Sequence, residues 1–265
     1  MNAVLKYPGA KWCIASWIIS YFPKHHSYLE PFFGSGGVFF TKDRSNIETV
    51  NDLDGEVVNL FACIRRDPER LAHDVFCTPY SRQVYDMAYS SGSPEDPFDR
   101  AARFLIRCNM GYGFRTTGGQ VGWKNDVRGR ERAYAARAWA DLPDIIVSAG
   151  ERLREVQIEC VDATKLIRRF NDPSVLIYCD PPYVLSTRNG KQYRCEMSDE
   201  KHLELLDALK RHRGPVLISG YDNPMYASEL RDWNRETTTT TDQLSRTKKE
   251  VLWMNFEPMG QTRLF

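Results

Sequence analysis

The chain has 265 residues, 42% hydrophobic and 12% aromatic, with 36 Lys and Arg against 35 Asp and Glu, a formal net charge of +1. That is enough apolar material for a full-sized core, and it excludes a disulfide miniprotein or a disordered tail. No apolar run approaches the ~18 residues of a membrane span, the opening residues lack a secretory core, and seven cysteines form no C-x-x-C pair. A soluble protein with no disulfide framework or zinc knuckle is therefore expected, its cysteines buried thiols.

Taken in chain order, residues 10–22 read as a helix with Trp12, Ala15, Ile18 and Ile19 on one face. Residues 27–31 read as a short strand, followed by the glycine-rich turn Phe33-Gly34-Ser35-Gly36-Gly37 and a short helix from Val38. Residues 47–51 form the next expected strand, ending at Asp52, and Val57, Val58, Phe61 and Ile64 mark one side of the helix after it. Later strands are expected at 156–161, 174–179 and 215–219. The run through Cys179 is the unbroken apolar kind buried on both faces of a parallel sheet. Ser198 can cap a helix running to His212, with Asp199 and Glu200 in its first turn and Leu203, Leu206 and Leu209 inward. The threonine run 237–241 is β-branched and reads as a strand. Strands alternating with helices predict an α/β doubly wound sheet.

One segment departs from that pattern. Residues 100–137 hold nine basic residues against Asp126 and Glu131, a local balance of about +7 that leaves about −6 for the rest. The same stretch contains Phe104, Tyr112, Phe114, Trp123 and Tyr134 and six glycines between 111 and 129. Such a basic, aromatic, loop-rich insertion suits a phosphate backbone and unstacked bases, although a solvated basic face has the same composition.

Two constellations carry chemistry. In Glu30-Pro31-Phe32-Phe33-Gly34-Ser35-Gly36-Gly37 the glycines let a ligand approach the backbone at the carboxyl edge of the sheet. Asp52 follows at the spacing at which an acid takes ribose hydroxyls. A nicotinamide enzyme would fit the same features, but Phe39 stands where a full G-x-G-x-x-G needs its third glycine. The second constellation, Asp180-Pro181-Pro182-Tyr183, ends a buried strand where adjacent prolines cannot continue it. An exocyclic amine on a nucleobase has its lone pair delocalised into the ring, so attack through nitrogen needs acceptors that draw its protons out of plane. Asp180 and the Pro181 carbonyl can supply two, and Tyr183 can stack on the base.

With these motifs the sequence resembles the Dam-type N6-adenine DNA methyltransferases over nearly its whole length, as a phage- or prophage-like member. Lys6-Tyr7-Pro8-Gly9-Ala10-Lys11 is similar to the family's K-W-x-G-G-K, residues 30–37 to its E-P-F-x-G-x-G, and Asp180 to Tyr183 to its catalytic tetrad. Residues 217–221 and 250–255 look like its late strands. Tyr7 and Ala10 depart mildly from the pattern. Residues 104–115 only partly match the family's N-R-x-G-F-N-G-x-x-R element, so no recognition sequence is assigned.

The resemblance implies a Rossmann-like catalytic domain from 1–53 and 151–265, with a helical target-recognition insertion at 54–150. It implies methyl transfer from S-adenosylmethionine to N6 of a flipped adenine in double-stranded DNA, by a cytoplasmic, monomeric enzyme of a bacterial or phage-infected cell that needs no metal. A place in a restriction-modification system is compatible with it. The cofactor is expected at Tyr7, Lys11, Glu30, Phe32, Gly34, Gly36, Asp52, Asp162 and Asp180, and catalysis at Asp180, Pro181, Pro182 and Tyr183. DNA is expected at Arg107, Asn109, Arg115, Lys124, Arg128, Arg130 and Arg132. The alternatives are a cytosine-N4 DNA methyltransferase, with Asp rather than Ser before Pro-Pro-Tyr favouring adenine, and a non-catalytic DNA-binding protein that retains the fold. A cytosine-C5 enzyme would need a thiolate in a P-C motif, which is absent.

Overall fold

The computed structural model describes residues 2–90, 92–113, 116–127, 134–188, 190–241 and 247–258. Its framework is a seven-stranded sheet formed by β1 (Ser27–Glu30), β2 (Ile47–Asn51), β3 (Val156–Glu159), β4 (Val175–Cys179), β5 (Val216–Tyr221), β6 (Asn234–Thr241) and β7 (Thr247–Met254). The spatial order is β3-β2-β1-β4-β5-β7-β6. The first five strands run parallel, and β7 lies antiparallel to both β5 and β6. The mixed α/β doubly wound sheet is thus the architecture expected from the alternating pattern.

Alternation along each strand divides the apolar residues into two cores, one per face. Tyr28, Leu176, Tyr178, Leu217, Leu252 and Met254 point to one. Leu29, Ile177, Cys179, Ile218, Val251 and Trp253 point to the other. The first core is covered by α1 (Ala15–Ile19), α2 (Gly37–Thr41), α3 (Gly55–Arg66), α4 (Pro68–Cys77), α6 (Pro97–Met110) and α8 (Leu142–Leu153), with Tyr85 of the short α5 (Arg82–Met87) and Trp139 of α7 (Tyr134–Ala140) also in it. The second is covered by α9 (Ala163–Arg169), α10 (Asp199–Lys210) and α11 (Pro224–Glu229). Burial on both faces explains why β4 reads as a continuous apolar run.

Several local expectations change. The helix read over 10–22 contracts to α1, because Lys11 and the turn before it are drawn into the site described below. Helix α10 is capped by Ser198, whose Oγ accepts from the Lys201 amide, but its inward face is His202, Leu205, Leu206 and Leu209. Leu203 is 43% exposed, since strict three-residue spacing drifts around a helix of 3.6 residues per turn. Of the seven free cysteines, Cys63, Cys108 and Cys179 are buried, Cys195 is half-buried, and Cys13, Cys77 and Cys160 are exposed.

Helices α3 to α8 all lie between β2 and β3. Helix α3 packs on β3, α6 and α8, and Arg152 of α8 pairs with Glu48 of β2, so this long connection is tied to the sheet at its two ends. After α6 the chain pairs back on itself: the Tyr112 amide donates to the Gly122 carbonyl at 2.7 Å and the Lys124 amide to the Met110 carbonyl at 2.7 Å.

Candidate active site

The strand order reverses between β1 and β4, and there the carboxyl ends of neighbouring strands face a common crevice. A cavity of about 210 Å³ opens at that point. Its wall includes Tyr7, Lys11, Glu30, Phe32, Gly34, Asp52, Asp162, Asp180 and Pro182, so eight of the nine residues expected at a cofactor meet around it. Gly36, the ninth, is not in the wall. Its φ of +66° shapes the turn instead, and a Cβ there would stand 2.6 Å from the Phe33 ring.

The turn is held from the next strand. The Phe33 amide donates to the Asn51 carbonyl at 2.9 Å, and the Gly34 amide to Asp52 Oδ2 at 2.8 Å. Asp52 Oδ1 accepts from the Asp54 amide at 2.8 Å. Burial nevertheless raises the Asp52 carboxyl to about 6 against those bonds. Asn51 ties three strand ends together, donating to the carbonyls of Pro31 and Val161 and accepting from the Val161 amide. Glu30 is buried, accepts the Tyr28 hydroxyl at 2.6 Å, and is raised to about 8, chiefly by burial. Asp162 caps α9, accepting from the Lys165 amide at 3.1 Å.

Asp180 follows the last residue of β4. Its Oδ1 accepts from Ser219 Oγ at 2.9 Å, and its Oδ2 meets Lys11 Nζ at 2.9 Å. Lys11 is only 7% exposed. Its ammonium donates to the Gly9 carbonyl at 2.6 Å, lies 4.8 Å from the centre of the Tyr183 ring and stands 3.7 Å from Glu250 Oε1. Burial opposes this charge, but Asp180 and Glu250 outweigh it and hold the Lys11 pKa above its ordinary value. Pro181 and Tyr183 are not in the cavity wall. The Tyr183 ring covers Lys11, its hydroxyl donates to Glu250, and its edge meets the Tyr221 ring at 4.6 Å.

The segment after the tetrad closes one side of the cavity with Tyr193, Cys195, Glu196 and Met197, none of which a local motif signals. Arg188 organises it by donating to the Tyr183 carbonyl at 2.6 Å and pairing with Glu196. Glu196 in turn accepts from the amides of Gln192 and Tyr193. This segment also touches the long connection: the Thr116 amide donates to the Gln192 carbonyl at 3.0 Å and the Arg194 amide to Thr116 Oγ1 at 2.7 Å.

The residues expected at DNA separate. Arg115, Arg128, Arg130 and Arg132 lie outside the described residues. Asn109 is 7% exposed and donates to the carbonyls of Val4 and Leu105, so it braces α6 against the amino-terminal segment rather than facing a ligand. Arg107 is paired with Glu56 at 3.2 Å. Lys124 does stand at a cationic position: its Nζ lies 5.5 Å from the centre of the Tyr134 ring, and Lys6 Nζ lies 5.8 Å from the same ring. The Lys6 ammonium is buried without a hydrogen-bond partner among the described residues. Burial, then repulsion from Lys124, lowers its pKa. Lys6 carried no sign of this in the sequence beyond its place beside Tyr7.

The wall also suits a cationic nucleoside cofactor. Six acidic residues line it (Glu30, Asp52, Asp54, Asp162, Asp180 and Glu196) against Lys11 and Lys201. Asp54 Oδ2 is buried with no donor among the described residues, an acceptor left for a ligand hydroxyl or ammonium. Among the described residues no group of three or more His, Cys, Asp or Glu could hold a metal ion.

A parallel sheet that reverses order at a glycine turn, opposite a strand-end carboxylate followed by Pro-Pro-Tyr, defines a Rossmann-like methyltransferase. The chain belongs to the D12 class N6 adenine-specific DNA methyltransferases, whose family pattern matches residues 7–250. It is 28% identical over 244 residues to a DNA adenine methylase of Salmonella typhi, covering 88% of this chain and 84% of that protein. The corresponding DNA adenine methylase of Escherichia coli K12 is 27% identical over the same length and coverage. A DNA N-6-adenine-methyltransferase of Escherichia phage P1 is 25% identical over 236 residues, 84% of this chain and 30% of the phage protein. The enzyme methylates N6 of adenine in DNA.

Proposed function

We propose that the methyl donor is S-adenosylmethionine, bound in the cavity between the glycine turn and Asp180, and that the acceptor is an adenine flipped out of duplex DNA. The observation that carries this reading is the placement of Asp180, held by Lys11 and Ser219 on the rim of an acidic, nucleoside-sized cavity. Asp52 and Asp54 would accept the ribose hydroxyls, Phe32 and Asp162 would bracket the cofactor's adenine, and Tyr7 and Gly34 would pack on its remaining length. When bound, the cofactor supplies a methyl carbon carried on a sulfonium and open to in-line displacement.

The chain then has to prepare the amine. Adenine N6 is paired and stacked in a duplex, so the base must leave the stack to reach a recessed carboxylate. Each Asp180 oxygen keeps an acceptor site beyond its bond to Ser219 or Lys11, so an N6 proton can be drawn toward it. The Pro181 carbonyl takes the second proton's hydrogen bond, which localises the nitrogen lone pair. Tyr183 supports the base from the side of Lys11. Positioning and electrostatics suffice, and buried Cys179 is a packing residue.

Recognition is assigned to the connection at 54–150, with Lys6 and Lys124 at its base. Two ammoniums sharing one ring repel each other, and an anion such as a DNA phosphate relieves that repulsion. Asp180→Ala tests the reading. Transfer of labelled methyl to adenine-containing duplex should be abolished, since one such contact is worth about 3 kcal/mol or more, while DNA binding persists. More than about a tenth of wild-type turnover in a folded variant overturns the role of Asp180.

A further inference from the structure

Glu250 belongs to no motif that reads as catalytic, yet it stands behind the tetrad. It lies on β7, 3% exposed, opposite Tyr221 in the antiparallel pairing of β5 and β7. Its Oε1 accepts the Tyr183 hydroxyl and stands 3.7 Å from Lys11 Nζ. The same ammonium is 2.9 Å from Asp180 and covered by the Tyr183 ring. One carboxylate thus touches both groups that frame Asp180, and they come from chain segments some 170 residues apart.

We propose that Glu250 is a positioning residue for methyl transfer: it shares the Lys11 ammonium with Asp180 and fixes the Tyr183 ring, keeping Asp180 available as an acceptor for the target amine. The inference rests on the reading of Asp180 given above. The argument is one of charge. Two carboxylates and one ammonium leave a net negative charge at the rim, so Lys11 does not fully neutralise Asp180. Without the second carboxylate the ammonium belongs to Asp180 alone, and an acceptor whose charge is fully matched draws an amine proton less strongly. The hydroxyl bond acts separately. It anchors the far end of the Tyr183 ring and so its tilt, and the edge-on contact with Tyr221 restricts rotation about the ring's long axis. Burying a carboxylate is costly, and burial does raise the Glu250 carboxyl above its ordinary range, so a well-packed apolar residue would serve the fold at least as well.

The test is Glu250→Gln, which keeps shape and an acceptor for Tyr183 but removes the charge. Single-turnover methylation of duplex DNA, with titrations of S-adenosylmethionine and of DNA, separates chemistry from binding. We expect kcat to fall about tenfold to a hundredfold, less than the ~10²–10³ of deleting a direct contact, with both affinities within about twofold of wild type. A wild-type kcat overturns the inference, and so does a loss carried by cofactor affinity. Should the Gln variant not fold, Tyr183→Phe tests the other contact of Glu250: it removes the hydroxyl bond that Glu250→Gln retains and leaves both carboxylates; a lower kcat with unchanged affinities is expected, and an unchanged kcat overturns the inference. Asp180→Asn is the control that separates the two readings. If it is inactive while Glu250→Gln turns over normally, the Glu250 inference alone fails. If it remains active, the Asp180 reading fails and the inference falls with it.

Discussion

Replacing Lys11 with Met tests the electrostatics of the site most directly, because the side chain keeps its length and volume and loses only its charge and donors. The ammonium stands 2.9 Å from Asp180 and 3.7 Å from Glu250 and donates to the Gly9 carbonyl, all in a buried setting. Removing it leaves two carboxylates facing one vacated point, and breaking a buried ion pair from one side costs about 3–5 kcal/mol. At this chain length 1 kcal/mol moves Tm by roughly 2–4 °C, so a fall of about 6–20 °C is expected at pH 8.

The pH dependence carries the sharper test. The Lys11 pKa is raised in the fold, so in the wild-type protein its stabilisation is fully present below its ordinary value of 10.5 and is lost only as pH rises through the raised value. Between pH 5 and 8 that contribution is constant. In the variant the Glu250 carboxyl, already raised by burial, takes a proton as pH falls and relieves the repulsion. The difference between the two proteins should therefore shrink from pH 8 to pH 5 in denaturant titrations. A difference under about 1 kcal/mol at pH 8, or one equal at both pH values, refutes the reasoning.

Further outcomes follow from three residues of the site and its turn. Asp52→Ala should weaken S-adenosylmethionine binding by roughly tenfold to a hundredfold by calorimetry with little change in DNA affinity, as expected for a charge-assisted hydrogen bond worth about 1.5–3 kcal/mol. In the wild-type protein the same affinity should fall as pH drops below about 6, where burial has raised this carboxyl and a proton takes up its acceptor site. Glu30 is raised to about 8 from 4.5, so the stability it allows is full below 4.5 and lost at up to about 1.4 kcal/mol per pH unit as pH rises through 8. Glu30→Gln should lack this decline, and parallel stability profiles for the two proteins would refute it. Gly36→Ala should destabilise the turn by more than about 1 kcal/mol, because a left-handed φ is combined with a Cβ 2.6 Å from Phe33, and an unchanged denaturation midpoint would refute it.

What the sequence by itself determined is what depends on neighbours along the chain. Strands β1, β2 and β4 follow from short apolar or alternating runs, the glycine turn from residues that accept positive φ, and the cap of α10 from Ser198. The D-P-P-Y tetrad and Asp52 were readable for the same reason, since each sits where a strand ends and its residue types restrict what that end can do. Composition along residues 100–137 marked a basic region but could not orient any side chain in it, and Asn109 turned into the core while Arg107 found Glu56. Only the tertiary structure decided which distant residues meet. Glu250 on β7 reaches Lys11 and Tyr183 because β7 inserts antiparallel beside β5, an arrangement no local pattern encodes. Lys6, with its ammonium buried, meets the ring of Tyr134 from far along the chain. The division has one physical cause: conformational preference acts over a few residues, whereas burial and pairing of charge are settled only when the sheet brings its strand ends together.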